Sequence, residues 1–170
     1  FDGVHRGHQA LLQQLHALAI QTGLPAAVLI FEPQPAEILA PHQAPARLTS
    51  LRDKIYRLSS YPIDYLYCLR FTRQLALQSA EAFVQQTLFQ QLQAHHLLIG
   101  SDARFGHARA GDVKLLYQLA IAQNKQVHLF SEHHHHTQRV SSTLIRQCLK
   151  GDDPELASQL LGRHYTVLGR

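Results

Sequence analysis

Two histidines near the start of the chain carry the clearest sign of chemistry in the sequence. His5 and His8 lie three residues apart at the mouth of an amphipathic helical pattern, with Gly7 between them. Imidazole nitrogens donate hydrogen bonds to phosphate oxygens, and a glycine lets the backbone approach a ligand closely. The free N–H groups and the positive dipole end of the helix add to an anion site. We therefore predict a polyphosphate site here, with a nucleotide as its carrier.

The same two histidines have simpler interpretations. They can be solvated residues near a terminus, since H-x-G-H occurs by chance in many sequences. The flanking glycines, Gly3 and Gly7, and the helical pattern that follows directly favour the phosphate site. A structural zinc ion is disfavoured because two histidines without a nearby cysteine pair supply too few ligands.

A second candidate phosphate site lies in the segment RVSSTLIR (139–146). The hydroxyls of Ser142 and Thr143 gather at a helix start, and Arg146 follows one turn later on the same side. A guanidinium fork binds two phosphate oxygens at once. An ordinary helix N-cap would use the same serine and threonine, so the segment alone leaves both interpretations open.

A third candidate site is the glycine-rich segment GSDARFGHARAGD (100–112). It follows an apolar run and carries Asp102, Arg104 and Arg109, so it is suited to hold a ligand at the edge of a sheet. The alternative is a flexible connection between a strand and a helix.

Strand and helix patterns alternate along almost the whole chain. Apolar runs predict strands at residues 26–31, 64–71, 96–100 and 126–130. Periodicity and capping residues predict helices that end at Gly23, begin at Ser50, run from Ser79 to about Gln93, begin at Asp112, run from Ser141 or Ser142 to Lys150, and run from Pro154 to Leu161. Four prolines make residues 32–48 a long loop of the kind that forms a lid or binding wall.

This alternation predicts an α/β fold, a Rossmann-like parallel sheet with helices on both faces. Ligands bind at the carboxyl ends of the strands in such sheets. The loops after the second, third and fourth strands should therefore converge on one site. The His5–His8 segment would join them if a first strand precedes Phe1, outside this chain.

Composition narrows the classes of function. A chain of 170 residues suits one domain, and its net charge of +4 comes from scattered lysines and arginines that do not form a nucleic-acid-binding patch. No apolar run in the sequence is long enough for a membrane span. Cys68 and Cys148 lie in apolar surroundings and are predicted to be reduced core thiols of a cytoplasmic protein. The sequence has no methionine, which predicts that it begins inside a longer protein.

The tract His133–His136 is the one low-complexity segment of the sequence. Consecutive side chains cannot all face one ion, so we predict a solvated surface stretch rather than a metal site.

Taken together, these segments resemble the FAD synthetase family, the bacterial bifunctional riboflavin kinase/FMN adenylyltransferases, in their N-terminal adenylyltransferase module. The matching pieces are spread over the whole chain in the family's order. They are FDGVHRGHQALL (1–12), FEPQP (31–35), ARLTSLRDK (46–54), GSDARFGHARAGD (100–112), RVSSTLIR (139–146) and LLGRHYTVLGR (160–170).

The resemblance implies that FMN attacks the α-phosphate of ATP, with magnesium present, to give FAD and pyrophosphate. On the ATP side it implies binding by the histidine segment and by the segment RVSSTLIR (139–146). The residues concerned are His5, Gly7 and His8, and Arg139, Ser142, Thr143 and Arg146. Such a transfer needs no protein nucleophile, so catalysis reduces to positioning and charge neutralisation by His5, His8, Arg146 and magnesium.

On the flavin side the resemblance implies roles for Phe31 and Pro33 and for Asp102 and Arg104. It also implies an adenylyltransferase domain over residues 1–162, with 163–170 starting the link to a riboflavin kinase domain that lies outside this chain. ATP and FMN are then the partners, with neither nucleic acid nor membrane involved.

Three alternatives remain open. A related nucleotidyltransferase would use another phosphorylated acceptor, such as phosphopantetheine or a cytidylyl acceptor. A module that binds a nucleotide or RNA without catalysis would bind ATP or RNA but release no pyrophosphate. A metal-handling protein would depend on His133–His136.

Overall fold

The computed structural model describes residues 1–131, 134–135 and 138–167, which form two compact units. The first unit contains residues 1–32, 43–69 and the described residues beyond 132. The second unit contains residues 33–42 and 70–131. Each unit has hydrophobic core residues of its own.

Helices and strands alternate along the chain. In order they are α1 (Arg6–Thr22), β1 (Ala27–Glu32), α2 (Pro35–Leu39), α3 (Leu51–Leu58), β2 (Tyr65–Arg70), α4 (Arg73–Ala76), α5 (Ala80–Ala82, continued as a π-helix over Phe83–Gln91), β3 (His96–Gly100), α6 (Val113–Ile121), β4 (Gln126–Phe130), β5 (His134–His135), β6 (Gln138–Arg139), α7 (Ser142–Lys150) and α8 (Pro154–Leu161). Short 3-10 turns cover Pro41–Gln43 and His107–Arg109.

The first unit packs its helices around the paired strands β1 and β2. Val28 and Ile30 of β1 meet Leu12 of α1 and Leu58 of α3 in one core, and each of these side chains is at most 4% exposed. Helices α7 and α8 add a second core of the same unit, whose fully buried members are Ile145, Ala157, Leu160 and Leu161.

The second unit is organised by β3 and β4, which pair in parallel from His96 opposite Gln126 to Gly100 opposite Phe130. Helix α6 contributes Leu116 to the core of this unit, where it meets Val84 in the helical segment after α5. Asp112 caps α6 by accepting a hydrogen bond from the N–H of Leu115 at 2.9 Å.

The α/β class predicted from the alternation of patterns is confirmed, and the four predicted strands lie where the apolar runs placed them. The predicted caps are also present. Ser50 accepts from the N–H of Asp53 at 3.1 Å, and Gly23 ends α1 in a left-handed conformation. Of the two candidate caps of α7, Ser141 is the one observed, because its hydroxyl accepts a hydrogen bond from the N–H of Leu144.

The interpretation of residues 32–48 as one long loop is wrong. Pro35 begins helix α2, since a proline at the first helical position loses no hydrogen bond. Glu37 completes a capping box by accepting from the N–H of Gln34 at 2.8 Å. The prolines therefore start a helix here rather than exclude one.

One smaller prediction also needs correction. Cys68 is exposed on β2, whereas Cys148 is buried as predicted. The neighbours of Cys68 on that strand include the exposed Tyr65 and Tyr67, so the apolar run did not show which side chains are covered. The helix predicted from Ser79 to about Gln93 is present: Ser79 caps it, and it ends at Gln91.

None of the helices in the described ranges combines the length and the apolar character needed to cross a bilayer.

Candidate nucleotide site

The two histidines of the first motif form a stacked pair at the start of α1. Their ring centroids lie 3.7 Å apart, and the ring of Phe1 lies 4.8 Å from that of His8. His5 is the N-cap of α1, because its Nδ1 accepts a hydrogen bond from the N–H of His8 at 3.3 Å. An accepting Nδ1 leaves the proton of a neutral ring on Nε2, which is then a hydrogen-bond donor.

Both rings are held neutral at pH 7. Burial is the main cause that lowers the pKa of His5 to about 4. Burial likewise brings the pKa of His8 well below its usual value. The Nδ1 atom of His8 is buried and has no hydrogen-bond partner in the part of the chain that the structure describes. The pair therefore offers neutral imidazole groups, one of them unsatisfied, to a ligand.

The turn before the pair is tightly built. We refer to residues 2–8 as the histidine loop. Gly3 has φ +85° and Val4 has φ +42°, a left-handed conformation that a β-branched residue rarely adopts. Gly7 is buried, and a Cβ atom there would lie 3.1 Å from the His5 ring and 3.5 Å from the carbonyl oxygen of Val140. The glycine thus allows the histidine ring to pack against the helix start.

Asp2 holds several segments of the first unit together. Its carboxylate accepts hydrogen bonds from the N–H groups of Leu48 and Thr49, from the Thr49 hydroxyl, and from Nη2 of Arg146 at 2.6 Å. Burial alone would raise the pKa of Asp2, but these hydrogen bonds and the charge of Arg146 lower it below its usual range. The carbonyl oxygen of Asp2 accepts from the Ser142 hydroxyl at 2.8 Å.

The segment 139–146 therefore contacts the histidine loop through Asp2. Arg146 donates from Nε to the carbonyl oxygen of Ala46 at 2.6 Å and from Nη2 to Asp2. Its Nη1 takes no partner among the described residues. Thr143 is exposed, and Arg139 is exposed at the end of β6. The structure thus brings His5, His8, Ser142 and Arg146 into one unit, as the sequence predicted for the phosphate side.

Two further cations of the first unit were not identified from the sequence. Arg163 donates to the carbonyl oxygens of Gly3 at 2.6 Å, Leu161 at 3.2 Å and Val4 at 3.4 Å. Lys54 of α3 is only 3% exposed, although lysine side chains normally reach water. A lysine in an amphipathic helix and an arginine after a helix are common surface residues. Neither residue type nor spacing therefore identified Lys54 and Arg163 as candidate site residues.

The glycine-rich segment 100–112 lies in the second unit and folds back on itself. Phe105 and Gly111 exchange backbone hydrogen bonds at 3.1 and 2.9 Å, and His107 donates from its N–H to the carbonyl oxygen of Gln78. Arg104 pairs with Asp112 at 3.3 Å, and Asp102 is exposed. The segment is therefore a hydrogen-bonded loop rather than a loose connection.

The second unit also contains a cavity of about 400 Å³. Pro33, one of the residues expected on the flavin side, lines it, whereas Phe31 belongs to the first unit. The lining residues are Pro33, Glu37, Ile38, Pro41, Arg70, Phe71, Thr72 and Arg73. Two arginines and an aromatic ring suit a ligand that is both planar and anionic.

No cluster of three or more histidine, cysteine, aspartate or glutamate side chains suited to a metal ion occurs among the described residues. The tract His133–His136 lies partly outside those residues, with His134 and His135 forming β5. Near the histidine loop, both oxygens of the Asp2 carboxylate are already occupied by donors.

Comparisons with known proteins identify the family to which the chain is similar. A family model described as FAD synthetase matches residues 1–144. The bifunctional riboflavin kinase/FMN adenylyltransferase of Escherichia coli (strain K12) is 41% identical over 170 residues, covering all of this chain and 54% of that protein. The protein of the same name from Haemophilus influenzae is 42% identical over 176 residues and is covered to 55%. The chain spans about half the length of these relatives.

A solved structure shares the fold. The crystal structure named macrolide-efflux protein from Streptococcus pneumoniae superposes with a TM-score of 0.83 at 25% sequence identity. The match covers all of this chain and 58% of that one.

Proposed function

The chain belongs to the FAD synthetase family, and we propose that it transfers the adenylyl group of ATP to FMN, giving FAD and pyrophosphate. The observation that carries the proposal is the stacked, neutral pair His5–His8 with an unsatisfied buried nitrogen, in the same unit as Ser142 and Arg146. We infer that this group binds the triphosphate.

The transfer is a single displacement at phosphorus. An oxygen of the FMN phosphate bonds to the α-phosphorus of ATP, and the bond from that phosphorus to the bridging oxygen of the β-phosphate breaks. The attacking phosphate is already an anion at neutral pH, so no general base is required. Catalysis then rests on positioning the two phosphates and on stabilising the charge of the departing pyrophosphate.

We assign that stabilisation to three side chains. Neutral His5 and His8 donate hydrogen bonds without repelling cations that accompany ATP. Arg146 uses Nε and Nη2 inside the protein, so Nη1 is the nitrogen left to contact a phosphate. Ser142, Thr143, Gly7 and Arg139 complete the proposed phosphate side.

We propose that the flavin side includes the cavity lined by Pro33, Arg70 and Arg73. The arginines suit the FMN phosphate, and the apolar lining suits the ring system. Asp102 and Arg104, in the same unit as the cavity, are further flavin-side residues that we infer from the family. The role of Phe31, in the first unit, is likewise inferred from the family alone. Magnesium enters in this proposal as part of the MgATP substrate, held by its phosphates and water.

We further propose that residues 1–162 form the adenylyltransferase module of a longer cytoplasmic protein and that residues 163–170 begin the link to a riboflavin kinase domain. The names of the relatives, which pair the two activities, support this organisation.

The test is a product assay on the chain. It is incubated with FMN, ATP and Mg²⁺, and FAD and pyrophosphate are measured by chromatography. FAD formation that is lost in Arg146→Ala supports the proposal. Pyrophosphate release with phosphopantetheine but not with FMN would assign a different acceptor, and ATP binding without any product would overturn catalysis.

A further inference from the structure

The positive charge of Arg146 is already balanced inside the protein. Its guanidinium lies 2.6 Å from the carboxylate of Asp2, and the side chains of both residues are at most 15% exposed. A balanced pair orients hydrogen bonds but adds little net potential for an anion. A polyphosphate carries several negative charges, so its binding calls for cations that no carboxylate neutralises.

Lys54 is one such cation. It is 3% exposed on α3, and its ammonium group forms no hydrogen bond or ion pair within the described ranges. Helix α3 packs against the histidine loop, because Leu51 and Leu58 share a core with Val4. Thr49, just before the helix, donates from its N–H to the Asp2 carboxylate. The positive charge of Lys54 is also among the smaller causes, after burial, that lower the pKa of His8.

Arg163 is the other cation. Its hydrogen bonds go to main-chain oxygens of Gly3, Val4 and Leu161, so its charge is solvated by carbonyl dipoles rather than by a carboxylate. The acidic group that acts on it, Asp53, is itself paired with Arg57 at 2.9 Å. The charge of Arg163 also reaches the histidine pair, as a smaller cause, after burial, of the lowered pKa of His5.

We propose that Lys54 and Arg163 supply the net positive charge that binds the polyphosphate at the histidine loop, while Arg146 acts through oriented hydrogen bonds. The inference rests on the proposed function, which provides the polyphosphate ligand. Arg163 is in addition a positioning residue, because it bonds to the carbonyl oxygens of the two left-handed residues before His5.

The energetics of burial support this assignment. A buried cation without a carboxylate partner costs stability, since it gives up hydration for no ion pair. An anionic ligand that binds next to such a cation recovers part of the lost interaction.

Lys54→Met separates this role from a structural one. We expect affinity for ATP to fall about tenfold, because a buried unit charge no longer faces the phosphates. We expect affinity for adenosine to be unchanged and the urea midpoint of unfolding to rise. Isothermal titration with ATP, AMP and adenosine, without Mg²⁺, measures the first two, and Lys54→Arg should restore ATP binding.

The matched control for Lys54 is Arg52→Gln, which removes an exposed cation from the same helix. It should leave ATP affinity within about twofold, since exposed charges are well screened. Equal loss of ATP and adenosine binding in Lys54→Met, or unchanged ATP binding, would overturn the role of Lys54.

Arg163→Gln tests the second cation, with Gln9→Met as its control. The Gln9 side chain donates to the same carbonyl oxygens of Val4 and Leu161, at 3.0 and 2.8 Å, but carries no charge. We expect Arg163→Gln to weaken binding in proportion to phosphate number, most for ATP and least for adenosine, and Arg163→Lys to recover part of the loss. Gln9→Met should affect the three ligands equally. An equal loss of affinity for ATP, AMP and adenosine in Arg163→Gln would overturn the assignment of Arg163 as a source of positive charge for the polyphosphate.

Failure of this inference is distinct from failure of the proposed reaction. Wild-type chain that binds ATP but forms no FAD would overturn the reaction and leave the binding comparison intact. FAD formation by wild type together with unchanged ATP affinity in both variants would overturn the charge assignment alone.

Discussion

Arg146 donates a hydrogen bond from Nη2 to Oδ2 of Asp2 at 2.6 Å, which joins residues 144 positions apart in the chain. A second bond, from Nε to the carbonyl oxygen of Ala46, fixes the plane of the guanidinium. Two of the three guanidinium nitrogens thus donate hydrogen bonds within the protein, and the third has no partner among the described residues. Under the proposed function, Asp2 therefore sets the direction in which Arg146 would bind a phosphate.

This relationship predicts strong coupling between Asp2 and Arg146 in catalysis. Arg146→Ala should lower turnover at least ~10²-fold, as expected for loss of an oriented hydrogen-bond donor to the departing pyrophosphate. Asp2→Asn should lower turnover about tenfold in the wild-type background but have little further effect in Arg146→Ala, since the oriented group is already absent. The measurement is kcat for FAD formation in a double-mutant cycle.

The control for this cycle is Thr49→Val. It removes the hydroxyl that donates to Asp2 at 3.0 Å and accepts from the N–H of Gly3 at 3.1 Å, but it leaves the ion pair in place. It should lower stability, and its effect on kcat should be smaller than that of Asp2→Asn. An Asp2→Asn effect of the same size in both backgrounds would contradict orientation through Arg146.

His8→Ala should lower turnover at least ~10²-fold, because it removes a donor to the triphosphate. Steady-state kinetics of FAD formation measure the effect. A control is His16→Ala on the same helix, which lies outside the histidine loop and should retain turnover. Near-normal turnover in His8→Ala would contradict its assigned role.

The low pKa of His5 predicts a loss of stability in acid. Its pKa is about 4 in the folded chain against 6.5 as the ordinary value, so the unfolded chain takes up the proton first as the pH falls. The free energy of unfolding should be level above pH 6.5 and should decrease between pH 6.5 and 4, by on the order of 3 kcal/mol at this site. Urea unfolding at a series of pH values measures it. His5→Gln should show a shallower decrease, and an unchanged slope in that variant would assign the effect to other groups.

The elements of the fold were predictable because their signals are local. Ser50, Asp112 and Gly23 mark helix ends through bonds or dihedral angles within a few residues. The helix within residues 35–39 was missed because proline is both a helix starter and a loop residue, and only the pairing of Gln34 with Glu37 distinguishes them.

The candidate site was predictable in part. His5, His8 and Arg146 stand out by residue type and spacing, but the residues that position them do not. Asp2 acts through partners 46 to 144 positions away, and Lys54 and Arg163 matter because of burial that only the fold creates. Non-local hydrogen bonds and the burial of single charged side chains leave no periodic trace in a sequence.

Gly106 of the glycine-rich segment should be indispensable for the stability of the second unit. It has φ +72°, and a Cβ atom there would lie 2.5 Å from the backbone of Ala80. Gly23→Ala is the matched control, because Gly23 has φ +68° but no atom within 4 Å of the added Cβ. We expect Gly23→Ala to cost about 1–2 kcal/mol from backbone strain and Gly106→Ala at least ~2 kcal/mol more from the clash. Denaturant unfolding compares the two, and equal costs would contradict the close approach to Ala80.

If the cavity of the second unit binds the flavin substrate as proposed, it should distinguish FMN from riboflavin. Arg73 lines that cavity together with Arg70, and a guanidinium contributes to binding through the phosphate that only FMN carries. Arg73→Gln should therefore raise the KM for FMN about tenfold, a loss typical of one charge-assisted contact, and leave the KM for ATP unchanged. Riboflavin binding, followed by flavin fluorescence, should be unaffected. Lys114→Gln removes an exposed cation from α6 of the same unit and should change neither value. If Arg73→Gln weakened riboflavin and FMN binding equally, the arginine would contribute to the shape of the cavity and not to recognition of the phosphate.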